Sequence, residues 1–215
     1  MIERKSVSVL AEPAFQLTCH ALSAWSCEVR ARRRGGHRKR FEGNSMSIKP
    51  GTKVPVLKLP IVDGGHFDVT TARPAAFSML VFYRGLHCPI CKAYLRDLEG
   101  TLHEFAQCGV EAIAISVDTA ARARQAREEW GLKGLPIGYG LSIAAARHWG
   151  LYISRAIGTC EPALFTEPGL FLVRPDGTLY CASIQTMPFA RPSFAEVLQA
   201  VRFVIEKDYP ARGEA

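Results

Sequence analysis

Beyond residue 50 the apolar positions fall into short runs whose period changes along the chain. Val54 to Thr70, "VPVLKLPIVDGGHFDVT", reads as two strands around the turn Asp63-Gly64-Gly65. Ser78 to Tyr83, "SMLVFY", is a continuous apolar run, the signature of a strand covered on both faces. The spacing then turns helical: Cys91, Tyr94, Leu95, Leu98, Leu102 and Phe105 form one stripe that ends near Cys108-Gly109. "VEAIAISV" (Val110 to Val117) is a second buried strand, and Asp118 or Thr119 can cap the helix that runs on to Trp130-Gly131. "LPIGYG" holds a short strand, and Ser142 to Trp149 a short helix stopped by Gly150. After a loop, "LFLV" and "TLYCA" flank the turn Arg174 to Gly177. A last helix opens with Ser193 and Glu196, a capping-box pair, and is expected to bury Phe194, Val197, Leu198, Val201, Val204 and Ile205. This order predicts an α/β fold: a central mixed sheet with helices on both faces.

Composition narrows the class. The chain has 215 residues, 48% hydrophobic and 22% charged, as in ordinary globular proteins. No run approaches the roughly 18 to 20 apolar residues of a membrane-spanning helix, so no membrane role is expected. The net charge of +7 sits mainly at the head of the chain. Residues 1–45 hold nine Lys and Arg against four Asp and Glu; the rest holds eighteen against sixteen. "RARRRGGHRKR" (Arg30 to Arg40) lacks periodicity and repels itself, so residues 1–45 read as a basic, disordered extension before a domain at 46–215. Without interleaved aromatics to stack bases, it gives no reason to expect specific nucleic-acid binding. Glu12 and Pro13 break the only apolar stretch that a signal peptide could use, although the Arg-rich bias weakly permits a transit peptide. Seven cysteines, an odd number, with no secretory pattern point to a reducing compartment, and the expected location is cytoplasmic.

Candidate chemistry concentrates where the second apolar run meets the helical stripe. In "YRGLHCPICKAYL" Cys88 and Cys91 stand three apart across a helix start. Unpaired backbone N–H groups and the positive end of the helix dipole stabilise a thiolate there. Thiols in such motifs have pKa values of about 3.5 to 7.5, against about 8.5 for a free thiol. Pro89 suits the first helical position, and Arg84, His87 and Lys92 add positive charge nearby. The pair therefore reads as redox-active. Half of a zinc site is an alternative, but no second pair has ligand spacing, and no metal is expected. Two packed, inert cysteines are the other alternative. Haem attachment needs His directly after the second Cys, where Lys92 stands, and no cofactor is implied. Cys108 and Cys181 read as small apolar residues, Cys160 as a loop thiol, and His103 and His148 as helix-surface residues. His87 is either a group that tunes the thiols or a general base.

"LVFYRG", Cys-Pro-Ile-Cys-Lys opening a helix, "AIAISVD" and "PGLFLVRPDGTLY" before a final helix together resemble a thioredoxin-fold protein of the peroxiredoxin type, the alkyl hydroperoxide reductase/thiol-specific antioxidant group. The resemblance spans about Lys49 to Lys207. Peroxiredoxins of this kind carry Pro-x-x-x-Thr-x-x-Cys, where Thr binds peroxide and Cys attacks it. Laid on this chain, those places hold Arg84, Cys88 and Cys91. The arginine that such enzymes place before the later strand corresponds to Pro168, where thioredoxins carry a cis-proline. Both landmarks thus shift toward thioredoxin, and a cis Glu167-Pro168 bond is expected to hold a substrate strand against the sulfurs.

Two oxidoreductase readings follow from the resemblance. In the first, Cys88 attacks and Cys91 resolves, cycling a dithiol and a disulfide. In the second, a thiol peroxidase, Cys91 attacks peroxide and Cys88 resolves. A non-catalytic thiol or metal-binding module is the reading from another class. The implied partners are a peroxide or a disulfide substrate, a thiol reductant such as thioredoxin or glutathione, and a second copy in a homodimer.

Overall fold

The computed structural model describes residues 48–215, so the expected basic extension lies outside the described residues. In chain order the elements are β1 (Lys58–Pro60), β2 (His66–Asp68), β3 (Phe77–Phe82), α1 (Pro89–Gln107), β4 (Val110–Ile115), α2 (Ala120–Trp130), β5 (Ile137–Gly138), α3 (Ile143–His148), β6 (Ile153–Arg155), β7 (Leu164–Thr166), β8 (Gly169–Val173), β9 (Leu179–Ile184) and α4 (Phe194–Lys207). The central sheet has the order β5-β4-β3-β8-β9. β3, β4 and β5 run parallel, β8 runs antiparallel to β3, and β9 antiparallel to β8. This is the mixed α/β sheet that the apolar runs predict.

β3 occupies the middle, and all six of its residues are buried. Its pleat sends Met79 and Val81 into one core and Leu80 and Phe82 into the other. Leu95, Leu98 and Phe105 of α1, Ala126 and Trp130 of α2, and Phe194, Leu198 and Val201 of α4 complete the first core. Ala146 of α3, with Trp149, Leu57 and Leu59, closes the second. Helices therefore lie on both faces. Thr119 and Ser193 cap their helices as expected, and Ser142 caps α3; each accepts a backbone N–H of the first turn. Asp118, the other candidate cap, is used elsewhere.

Two expectations need correction. Ile205 is 48% exposed, because Val204 takes the inward place in the last turns of α4. The segment read as a loop after α3 contains the antiparallel ribbon β6–β7, which pairs Ile153 with Thr166 and Arg155 with Leu164. Strands of three residues are too short for a period of two to register in sequence.

Glu99 on α1 ties the chain before β5 to the helix, accepting the backbone N–H groups of Lys133, Gly134 and Leu135 at 2.9, 2.7 and 2.9 Å. Hydrogen bonds to charged groups are each worth about 1.5 to 3 kcal/mol, and bonds sharing one acceptor are not additive. Glu99→Ala is accordingly expected to cost about 2 to 3 kcal/mol in urea unfolding. It should leave thiol reactivity in the folded protein unchanged.

Candidate active site

The chain leaves the buried β3 at Tyr83 and turns through Arg84, Gly85, Leu86 and His87 into α1. The turn is held from below by Asp118, 1% exposed, whose Oδ2 accepts the Leu86 N–H at 2.7 Å. Asp118 Oδ1 in turn accepts from Arg122 Nε at 2.8 Å. Gly85 has φ +124°, and a Cβ there would meet Asp118 Oδ2 at 2.8 Å. Glycine is required because the backbone passes so close to the carboxylate.

Cys88 is the N-cap of α1, extended at φ −100° and ψ 105°, with Pro89 in the first turn. The Cys91 N–H donates to Cys88 Sγ at 3.3 Å, so a sulfur does the work usually left to a hydroxyl or carboxylate oxygen. The Cys88 thiol is lowered to about 6, first by the Cys91 thiol hydrogen-bonding to it, then by the Cys91 N–H and by the charges of Arg84 and Arg191. Burial opposes this but does not win. Cys91 moves the other way: burial and the neighbouring Cys88 push its thiol well up, with Arg191 pulling back. The two shifts run in opposite directions, so a thiolate is favoured on Cys88 over Cys91.

Arg191 is the residue that the sequence reading missed. It lies in the loop between β9 and α4, and one guanidinium nitrogen donates to Cys91 Sγ at 3.1 Å. Its Nε is tied to Pro188 O at 2.7 Å, and its guanidinium lies 4.9 Å over the Tyr94 ring. Tyr94 closes the loop by donating to Pro192 O at 2.8 Å. The remaining nitrogen of the fork, buried, has no hydrogen-bond partner among the described residues. The one local signal in "MPFARPS" is an Arg bracketed by prolines, which says nothing about its distance from Cys91.

The other expected residues divide. Arg84 engages Glu167 at 3.5 Å and Glu161 at 3.7 Å, with its guanidinium over the Phe165 ring. His87 packs edge-on against Phe165 at 4.7 Å, and neither ring nitrogen has a hydrogen-bond partner among the described residues. Burial first, then Arg84, holds its pKa below the usual value, so the ring is neutral at neutral pH. Pro168 does stand near the site, lining a recess of about 190 Å³ with Tyr94, Gln185 and Arg191. Its peptide bond is trans, which corrects the cis expectation. The Glu167 N–H donates to Tyr152 O and the Pro168 carbonyl accepts from Gln185 N–H, so the chain passes extended from β7 to β8. Cys160 is exposed, Cys108 and Cys181 are half-buried, and no group of three or more His, Cys, Asp or Glu residues among the described residues could hold a metal ion.

The Cys88 thiol is lowered in the folded chain to about 6, so its ionisation stabilises the reduced fold fully above the free-thiol value, and this contribution is lost as pH falls through about 6. Alkylation of the reduced protein by iodoacetamide is expected to rise at Cys88 near pH 6. Cys91 and Cys181, both raised by burial, should react only well above it, as peptide mapping would read. Gly85→Ala, which forces a side chain onto Asp118 at positive φ, is expected to cost about 1 to 3 kcal/mol in the same unfolding assay.

The family model described as the AhpC/TSA family matches residues 50–181. No curated protein matches the chain by sequence. Among solved structures, peroxidoxin BcpB from Mycobacterium tuberculosis is similar at 18% identity and a TM-score of 0.59, over 73% of this chain and 98% of that one. AhpC of Enterococcus faecalis is similar at 19% identity and a TM-score of 0.62, over 76% and 98%. Peroxiredoxin 6 of Arenicola marina is similar at 19% identity and a TM-score of 0.63, over 75% and 76%. At these identities the solved structures speak for the fold, and the family model carries the assignment. The chain belongs to the AhpC/TSA family, a peroxiredoxin-like thiol-dependent oxidoreductase of the thioredoxin fold.

Proposed function

We propose that the protein reduces small hydroperoxides by cycling Cys88 and Cys91 between dithiol and disulfide, with Cys88 the attacking sulfur. The observation that carries this reading is the cap: Cys88 Sγ receives the Cys91 N–H at the mouth of α1. Thiolate, not thiol, is the nucleophile, and at neutral pH only Cys88 is held in that form. Cys88 and Cys91 are 1% and 0% exposed, which suits a small peroxide better than a bulky disulfide.

The cycle balances as follows. The Cys88 thiolate attacks one peroxide oxygen; the O–O bond breaks, Cys88 becomes a sulfenic acid, and the other oxygen leaves as alcohol or water after taking a proton. Negative charge develops on that leaving oxygen, and the unpartnered nitrogen of Arg191 is a buried donor able to meet it. The Cys91 thiol then displaces water from the sulfenic acid, forming the Cys88–Cys91 disulfide. Two thiols of an external reductant, of the glutathione or thioredoxin kind, restore the dithiol by exchange. The reductant class and a homodimeric working unit rest on family membership.

One observation favours the reverse order of attack. Arg191 donates to Cys91, not to Cys88, and a guanidinium against a sulfur stabilises its thiolate. A single peroxide pulse on Cys88→Ser and Cys91→Ser proteins, with sulfenic acid trapped and mapped, decides between the two. The expected result is fast sulfenate at Cys88 in the Cys91→Ser protein. Fast sulfenate at Cys91 in the Cys88→Ser protein would establish the reverse order, and reaction no faster than free cysteine in both would overturn peroxide reduction. Arg191→Gln is expected to slow peroxide-driven disulfide formation about a hundredfold, the usual loss when one preorganised donor is removed.

A further inference from the structure

One turn of α1 carries both the Cys91 sulfur and, three residues on, the Tyr94 ring. Arg191 reaches over that turn from the β9–α4 loop. Its guanidinium lies 4.9 Å from the centre of the Tyr94 ring, and one of its nitrogens donates to Cys91 Sγ at 3.1 Å. The Tyr94 hydroxyl donates to Pro192 O at 2.8 Å, so the same side chain also holds the residue after Arg191. Tyr94 is itself fixed, stacked on the buried Phe194 at 4.3 Å. Burial raises its phenol well above the usual value, so the hydroxyl keeps its proton and remains a donor.

The other contacts of Arg191 cannot hold it over α1. Its Nε donates to Pro188 O at 2.7 Å and its backbone N–H to Phe189 O at 3.1 Å, both inside the loop. They fix the guanidinium relative to its own loop and leave its place over the helix open. The Cys91 sulfur is a weak acceptor, and it becomes half of a disulfide during the cycle, so it is a poor anchor.

Among the described residues no carboxylate pairs with Arg191, whereas Arg84 meets two. A carboxylate would hold the arginine but cancel its charge. An aromatic face attracts a cation through its quadrupole and carries no net charge of its own. We infer that Tyr94 is a positioning residue: its ring face holds the Arg191 guanidinium against Cys91, with the positive charge left free for the leaving oxygen. The inference rests on the proposed peroxide reduction and on Arg191 as the donor in it.

The test is the second-order rate at which a peroxide pulse converts the reduced, full-length protein to the Cys88–Cys91 disulfide, read as loss of both free thiols by peptide mapping. Tyr94→Phe keeps the ring and loses only the hydroxyl, and is expected to keep at least about a third of the wild-type rate. Tyr94→Leu keeps an apolar side chain but has no π face, and is expected to lose about tenfold, the scale of a partly desolvated cation–π contact. Rescue by Phe and not by Leu separates the ring face from simple packing. In an Arg191→Gln background, Tyr94→Leu should add no further loss. Equal rates in the Tyr94→Phe and Tyr94→Leu proteins, or a further loss in the Arg191→Gln background, would overturn the positioning role. Should Tyr94→Leu not fold, fluorinated phenylalanines at position 94 take its place. Each added fluorine drains the ring face of negative charge with little change of shape, and the rate should fall with each one. A rate independent of fluorination overturns the role equally. A wild-type rate no faster than that of free cysteine would instead overturn peroxide reduction, and this inference with it.

Discussion

The hydrogen bond from the Cys91 N–H to Cys88 Sγ is the interaction on which the rest of the site depends. It is a helix cap, and it gives a sulfur the environment that capping oxygens enjoy: free backbone donors and the positive end of a dipole. Because the same residue that donates also contributes the second thiol, one contact both starts α1 and couples the two sulfurs. Their opposite pKa displacements follow from the burial of Cys91 together with that coupling. A charge on Cys88 makes a second charge on Cys91 costly, so the pair keeps one proton and one thiolate.

Holding that cap in place is the task of the sheet. β3 is buried along its whole length, so the register of Tyr83 is not free to slip, and Asp118 catches the Leu86 N–H as the chain leaves the strand. Gly85 is the sole glycine of the turn, and it is the point where backbone and carboxylate come closest. The same Asp118 oxygen pair also engages Arg122 of α2. One buried carboxylate thus ties the turn to the helix that covers the neighbouring strands.

Two arginines flank the thiols with different duties. Arg191 touches Cys91 and keeps a buried nitrogen unspent, an arrangement suited to charge that appears only during reaction. Arg84 spends its guanidinium on Glu161 and Glu167. The resemblance of the sequence led to a single arginine place, at Pro168, and to a thioredoxin-like proline there. The trans Glu167-Pro168 bond removes the proline argument, and Arg191 restores an arginine from a loop a hundred residues beyond Cys91.

What the sequence determined by itself was everything that local periodicity and local chemistry control. The buried run of β3, the stripe of α1, the caps at Thr119 and Ser193, and the two cysteines astride a helix start were all legible. Each depends on residues within a few positions of one another. Only the tertiary structure decided which charges meet the sulfurs. Arg191 comes from the β9–α4 loop, and Glu161 and Glu167, which hold Arg84, come from the loop between β6 and β7 and from the residue after β7. Their roles arise from packing across the sheet, and a buried ion pair has no sequence spacing to betray it.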